Sequence, residues 1–240
     1  MNTFLKFISN FMILRRVYKS SDPRWRTRCK ELKTKMMRLS PQSVINGPSA
    51  RVDGAEVTNS TVKALKDGRV VAVPTDTIYG LACLAQNSNA IKKVLNVVFY
   101  PCGGRYCKVS VKKELIGDLL PGPVTLVLER AEVLNTDLNP FTPLVVVCIP
   151  DQAFMRRLCQ MCREPLAVTS ANISSHSSTV AVHDFQDLWP QLSVVVDGGP
   201  IGDKSRLGST GKYRIIRPGC AFSSTVHVLE HKYGLSEDTG

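Results

Sequence analysis

The sequence predicts an α/β fold: a sheet with helices on its faces. Three observations lead there. Segments of helical period alternate with short apolar runs from Glu56 to the end of the chain. Those runs are β-branched and continuous, as strands buried on both faces must be. The segments that follow them are rich in glycine, hydroxyl and amide residues, and open sheets of this class collect ligands beyond the carboxyl ends of their strands. A hydrophobic content of 43% with 21% charged residues excludes wholesale disorder. No apolar run reaches the roughly eighteen residues a membrane-spanning helix needs.

Residues 1–54 read as a basic leader and linker, and residues 55–240 as the domain. The net charge of +11 looks like a nucleic-acid binder until it is mapped. Residues 1–40 hold eleven basic groups against Asp22 and Glu31, a local net charge of +9, which leaves +2 for everything else. The first twenty-one residues lack acids, and Arg15-Arg16 follows the apolar stretch instead of preceding it, which is wrong for a secretory signal. Two readings fit: a mitochondrial presequence, or a disordered basic tail that touches anionic surfaces. Pro41, Gly47, Pro48 and Gly54 mark residues 41–54 as the linker.

The domain then reads in order. Ser60 caps a helix through Val62 and Leu65 that Gly68 ends. Val70–Val73 is a buried strand stopped by Pro74. Asn87 or Ser88 starts a helix carrying Ile91, Val94 and Leu95, and another helix spans Lys112–Leu120 before Pro121-Gly122-Pro123. Val124–Leu128 and Leu144–Ile149 are strands. Asp151 caps a helix to Cys162, and Leu166–Val168 returns as a strand. A helix at Val182–Leu188 leads to the strand Ser193–Val196. Tyr213–Ile216 is the last strand and Thr225–Tyr233 the last helix. No internal repeat is present.

Eight cysteines without a secretory leader, irregularly spaced, suit a reduced intracellular protein. Cys102 and Cys107 have four residues between them, and Cys159 and Cys162 form a C-x-x-C. A zinc site wants two such pairs in a loop-rich setting. Cys159 and Cys162 instead continue the helical pattern of Phe154, Leu158 and Met161, so packing is predicted. His227 and His231 share a helical face with no third ligand in view, which predicts a solvated surface.

The loops after the strands carry the chemistry. Pro74-Thr75-Asp76-Thr77-Ile78-Tyr79-Gly80-Leu81, Thr125, Thr169-Ser170-Ala171-Asn172, Asp197-Gly198-Gly199, Arg206–Thr210 and Arg217-Pro218-Gly219 all fall at predicted strand ends. Hydroxyls, amides and glycine N–H groups bind phosphate or carboxylate oxygens, and arginine adds a fixed charge. Any one such loop is explained by turn and cap formation; together on one edge they predict a polar, anion-binding cleft. No G-x-x-x-x-G-K-[ST] loop and no G-x-G-x-x-G fingerprint occurs. Ser170 lacks a G-x-S-x-G elbow, which argues against a serine hydrolase.

Four of these motifs in order, with Leu120-Pro121-Gly122-Pro123-Val124-Thr125, make the chain resemble the YrdC/Sua5 family from about Val57 to Tyr233. Leu138–Pro143 and Phe185–Pro190 are similar to its animal members. The resemblance implies a twisted, mostly parallel sheet with a deep basic cavity, and a threonylcarbamoyl-AMP synthase, which joins L-threonine, bicarbonate and ATP with release of pyrophosphate. Magnesium accompanies the ATP, and a downstream complex passes the threonylcarbamoyl group to adenosine 37 of tRNA. It implies that Thr75 and Thr77 line the threonine and carbamate end, that Thr125, Ser170 and Asn172 contact the nucleotide, that Ser209 and Thr210 bridge the two, and that Arg217 meets ATP. No residue is assigned as a covalent catalyst. A cytoplasmic location is implied, to which the leader adds the mitochondrion.

The chain departs from the family in three places. Asn96–Arg105 stands where the family has Lys-x-Arg and Lys-Pro-Leu, with Arg105 and Lys108 the nearby charges. Cys148 replaces an arginine before Ile149-Pro150. Gly211-Lys212 follows Ser209-Thr210 where a valine-rich strand belongs. Each lost charge-assisted hydrogen bond costs about 1.5–3 kcal/mol, so nucleotide binding is predicted to weaken. Blocks lost in this way predict a shortened product with a gap in the sheet. A second reading follows from them: a non-catalytic member that binds RNA, double-stranded RNA included, or a protein partner. The low aromatic content, 7%, gives base stacking little to work with.

Overall fold

Helix α1 (Ala50–Lys66) begins well before Ser60 and runs through Gly54, so its first turns lie in the predicted linker. Val57, Thr61, Ala64 and Leu65 form its buried face. The buried hydroxyls of Thr58 and Thr61 donate back to the Gly54 and Val57 carbonyls at 2.6 and 2.7 Å, which satisfies them inside the helix. Ser60 is therefore an interior residue, not a cap. Gly68 ends the helix at φ +72°, where a Cβ would also meet the Asn87 amide at 2.7 Å.

This computed structural model describes residues 6–7, 33–39, 50–94, 98–99, 105–109, 113–122, 124–138, 140–172, 179–201, 214–215 and 222–232. The strands are β1 (Lys6–Phe7), β2 (Lys35–Arg38), β3 (Val71–Pro74), β4 (Tyr79–Leu84), β5 (Val98–Phe99), β6 (Cys107–Lys108), β7 (Thr125–Arg130), β8 (Leu144–Cys148), β9 (Leu166–Ser170), β10 (Val194–Asp197) and β11 (Arg214–Ile215). They form one sheet in the order β11-β1-β7-β8-β5-β9-β4-β3-β10-β2, with β6 added on β7. Remaining helices are α2 (Ser88–Ile91), α3 (Lys113–Leu119), α4 (Ala153–Cys162) and α5 (Phe222–His227), which continues as a π-helical Val228–Lys232. Thr136–Leu138 and Val182–Gln191 are 3₁₀-helical.

Alternate residues of the central strands enter two cores. Val71, Val73, Ala82, Leu84, Leu166, Val168, Val194 and Val196 pack with α1 and α4 on one face. Ala72, Cys83, Ala167 and Val195 face the other, against α3, Phe185 and Leu229. Both faces are apolar, so the strands read as continuous hydrophobic runs in a three-layer arrangement.

The α/β class and the flanking helices are as predicted. The mostly parallel sheet is not: of ten described pairings, six are antiparallel. The main reason is β4. Thr75–Ile78 is a hairpin turn that folds Tyr79–Leu84 back on β3, pairing Pro74 with Tyr79 and Val71 with Ala82. The 54/55 boundary is likewise not a boundary of the sheet. β2 lies N-terminal to it, pairs all four residues with β10 in parallel, and buries Met37.

Three local differences have simple causes. Gln152, not Asp151, caps α4 by accepting from Met155 N at 2.9 Å, while Asp151 pairs with Arg156. The helix expected at Val182–Leu188 runs to Gln191 and is 3₁₀, with a kink at Phe185 and Pro190 inside it. Within Asn96–Arg105, where a gap in the sheet was predicted, the described residues Val98–Phe99 form β5, which pairs with β8 on one side and β9 on the other. Of the two candidate starts, Asn87 caps α2, accepting from Ala90 N at 3.0 Å, and the helix ends at Ile91, short of the Val94 expected in it.

Candidate active site

The β3–β4 turn is built around one side chain. Thr75 Oγ1 donates to Ile78 O at 2.7 Å and accepts from Thr77 N and Ile78 N at 3.2 Å each. Its hydroxyl proton is thus spent inside the turn, and Thr75 is buried. Thr77 Oγ1 lies 3.3 Å from Thr75 Oγ1 and is only half-buried. Of the two threonines, Thr77 is the one placed to meet a ligand. Asp76 between them turns away to structure: its Oδ2 accepts from Asp151 N at 2.9 Å, tying the turn to the start of α4.

The end of β9 lies beside this turn because Gly80 pairs with Ser170. The strands approach so closely that a Cβ on Gly80 would sit 2.6 Å from Val168 Cγ1 and 3.2 Å from Thr169 O. Ser170 Oγ donates to Asn172 Oδ1 at 2.6 Å, which fixes the amide with its nitrogen directed away from the serine. Ala171 N, between them, donates to Tyr79 O at 2.9 Å.

The glycine turn after β10 completes the group. Gly199 has φ +80°, and its N–H donates to Asp197 Oδ1 at 2.9 Å. A Cβ on Gly198 would lie 2.9 Å from Pro74 Cγ, so this turn packs directly on the residue before Thr75. Tyr79 Oη accepts from Gly198 N at 3.0 Å and donates to Gly199 O at 2.7 Å. Burial, with the Asp197 charge nearby, pushes its phenol up to about 12. Sequence reasoning flagged the motif but not this residue's part in it.

Thr125 opens β7 opposite Cys148. Desolvation and the Asp76 carboxylate raise the Cys148 thiol well above its ordinary range, while its hydrogen bond with Thr125 opposes that rise. Cys148 therefore stands between Thr125 and the Asp76 turn as a neutral group. Lys108 and Arg105 stand elsewhere. Lys108 pairs with Glu129, and Arg105 lies over the Tyr106 ring at 5.6 Å, beside the Arg130 end of β7 and away from Thr125. Thr75, Thr77, Ser170 and Asn172 are thus brought together, with Thr125 joined through Cys148. Ser209, Thr210 and Arg217 lie outside the described residues.

Cys159 and Cys162 are buried on α4, as the helical pattern predicted. His227 and His231 share a face, with ring centroids 4.7 Å apart. Among the described residues no helix is long and apolar enough to cross a membrane.

The Sua5/YciO/YrdC family model, described as "Telomere recombination", matches residues 63–97 and 105–219. Its interruption coincides with the Asn96–Arg105 departure. A Homo sapiens protein named threonylcarbamoyl-AMP synthase is 50% identical over 226 residues, covering 84% of this chain and 81% of its own length. Escherichia coli YciO superposes with a TM-score of 0.62 at 18% identity, over 78% of this chain and 96% of that one. Pyrococcus abyssi Sua5, solved in complex with L-threonine, superposes at 0.59 and 22% identity, over 73% of this chain and 52% of that one.

Proposed function

The chain belongs to the Sua5/YciO/YrdC family, and from that membership we propose that it is a threonylcarbamoyl-AMP synthase. The observation that carries this is the 50% identity to the human synthase over most of both chains. The amino group of L-threonine and bicarbonate form a carbamate with loss of water. A carbamate oxygen then attacks the α-phosphate of ATP, and the bond to pyrophosphate breaks, which makes the enzyme a nucleotidyltransferase.

Such a reaction asks the protein to hold a carboxylate in line with a phosphate and to neutralise developing charge. The residues suit it. Thr77, with the main chain that Thr75 orders, faces the threonine and carbamate end. Thr125, Ser170 and Asn172 contact the nucleotide or the intermediate, Ser209 and Thr210 bridge the two, and Arg217 meets ATP. Magnesium enters with ATP as a counter-ion of its phosphates. Among the described residues no group of three or more His, Cys, Asp or Glu stands ready to hold a metal on its own. The product serves a downstream complex that modifies adenosine 37 of tRNA, in the cytoplasm and, through the basic leader, in the mitochondrion.

Cys148 is neutral where the family has an arginine, and Arg105 and Lys108 stand at the far end of β7. Triphosphate binding is therefore weakened in this chain. The test is pyrophosphate release by the full chain with ATP, magnesium, bicarbonate and L-threonine, each omitted in turn, with circular dichroism beside it. Release that needs both threonine and bicarbonate, with an elevated KM for ATP, is the expected result. A folded chain that releases none overturns the synthase and leaves the non-catalytic reading.

A further inference from the structure

Tyr79 links three segments of the candidate site: the β3–β4 turn that it follows, the end of β9 and the glycine turn after β10. Its backbone N donates to Thr179 O at 2.8 Å, and its backbone O accepts from Ala171 N, one residue past Ser170. Its ring is fully buried and packs against Phe185 with centroids 5.5 Å apart. Its hydroxyl lies across the sheet on the glycine turn, 119 residues further along the chain. There the phenol oxygen takes one hydrogen bond from Gly198 N and gives one to Gly199 O, so the peptide between the two glycines is held from both ends. Gly198 has no side chain to hold the turn in place, and Gly199, left-handed at φ +80°, is tied within the turn to Asp197 Oδ1. The two hydrogen bonds from Tyr79 add to the packing of Gly198 on Pro74 in setting the turn's position relative to the threonines.

We infer that Tyr79 is a positioning residue for the threonine end of the synthase reaction, its hydroxyl fixing the distance between the Thr75–Thr77 turn and the Asp197–Gly199 turn. This rests on the synthase reading for the identity of the ligand. A small zwitterionic amino acid held between two main-chain turns is sensitive to their spacing, because its few polar atoms must meet donors in one geometry. The nucleotide, which reaches to Thr125 and beyond, is less so. The high phenol pKa keeps the O–H donor in place across the working pH range.

Tyr79→Phe in the full chain removes the hydroxyl and keeps the ring on Phe185. With circular dichroism unchanged, the KM for L-threonine and the calorimetric dissociation constant for L-threonine without nucleotide rise about tenfold, a loss of about 1.4 kcal/mol of ligand binding as the turn is released. The KM for ATP stays within twofold. Phe185→Leu keeps the hydroxyl and loosens the ring, so it lowers the unfolding temperature and leaves the threonine KM within twofold. The inference is overturned if Tyr79→Phe shifts both KM values alike or neither, or if Phe185→Leu raises the threonine KM as far. A wild-type chain that binds threonine but releases no pyrophosphate ends the synthase reading, while the calorimetric ratio still decides the role of Tyr79. One that does neither overturns both.

Discussion

Thr75 and Thr77 look alike in the sequence and do different work. Thr75 makes three hydrogen bonds within its own turn through its hydroxyl, so replacing it by an isostere without the hydroxyl takes the acceptor from the N–H groups of Thr77 and Ile78 and leaves the Ile78 carbonyl with the Thr75 N–H. Thr75→Val is expected to lower the unfolding free energy by about 1–3 kcal/mol, read by urea denaturation, and Thr75→Ser to restore most of it. That both threonines matter was legible from the hydroxyl-rich strand end. The division between them was not, because it depends on which oxygen closes the turn. The part played by Tyr79 was less legible still, since its hydroxyl partners lie 119 and 120 residues away.

Among the elements, α4 shows what a helical pattern conveys and what it omits. The buried positions Phe154, Leu158, Cys159 and Cys162 follow from period alone. The cap does not: Asp151 and Gln152 are both able to accept, and the choice of Gln152 goes with the Asp151–Arg156 pair and the bond to Asp76. β4 was hidden for a related reason. Tyr79–Leu84 is short and apolar, begins straight after a polar turn, and contains the glycine that close packing on β9 requires. Burial on α4 also has a pH consequence. It pushes the Cys159 thiol up to about 12 and the Cys162 thiol up to about 11, against an ordinary value of 9.0. The unfolded chain then releases these protons at lower pH than the folded one. Stability from this source is complete below about pH 8 and is lost as pH rises through 9 toward 11, by on the order of 1.4 kcal/mol per pH unit for each thiol. Denaturation at pH 7, 9 and 10 is expected to show a steeper loss in the wild type than in a Cys159→Ala, Cys162→Ala double variant.

At the scale of the whole molecule, the notable strand is β2. Lys-Met-Met-Arg reads as part of a basic tail, and only its pairing with a distant strand reveals it as the edge of the sheet. Leu39 N donates to Asp197 O at 2.7 Å, and a Cβ on Gly198 would lie 3.7 Å from Leu39 Cδ1, so this segment backs the glycine turn of the site. Two truncated chains, one starting at Lys33 and one at Ser40, differ by β2 and its flanks alone. Losing Met37 burial costs about 1.5–3 kcal/mol, which for a chain of this size lowers the unfolding temperature by about 3–12 °C. Calorimetry of the two is expected to show that difference, and the shorter chain to bind threonine more weakly.

The same strand sets an order in time. The Thr34 hydroxyl donates to the carbonyl of Trp189, 155 residues downstream, and the rest of β2 waits for β10 just beyond. At about 5–20 residues per second, the ribosome takes on the order of ten seconds or more to deliver that partner. For that interval the basic segment is synthesised but has no place in the sheet. Met37, the side chain that β2 buries, has no place in the core until β10 emerges, whereas Lys35 and Arg38 stay exposed even in the finished sheet.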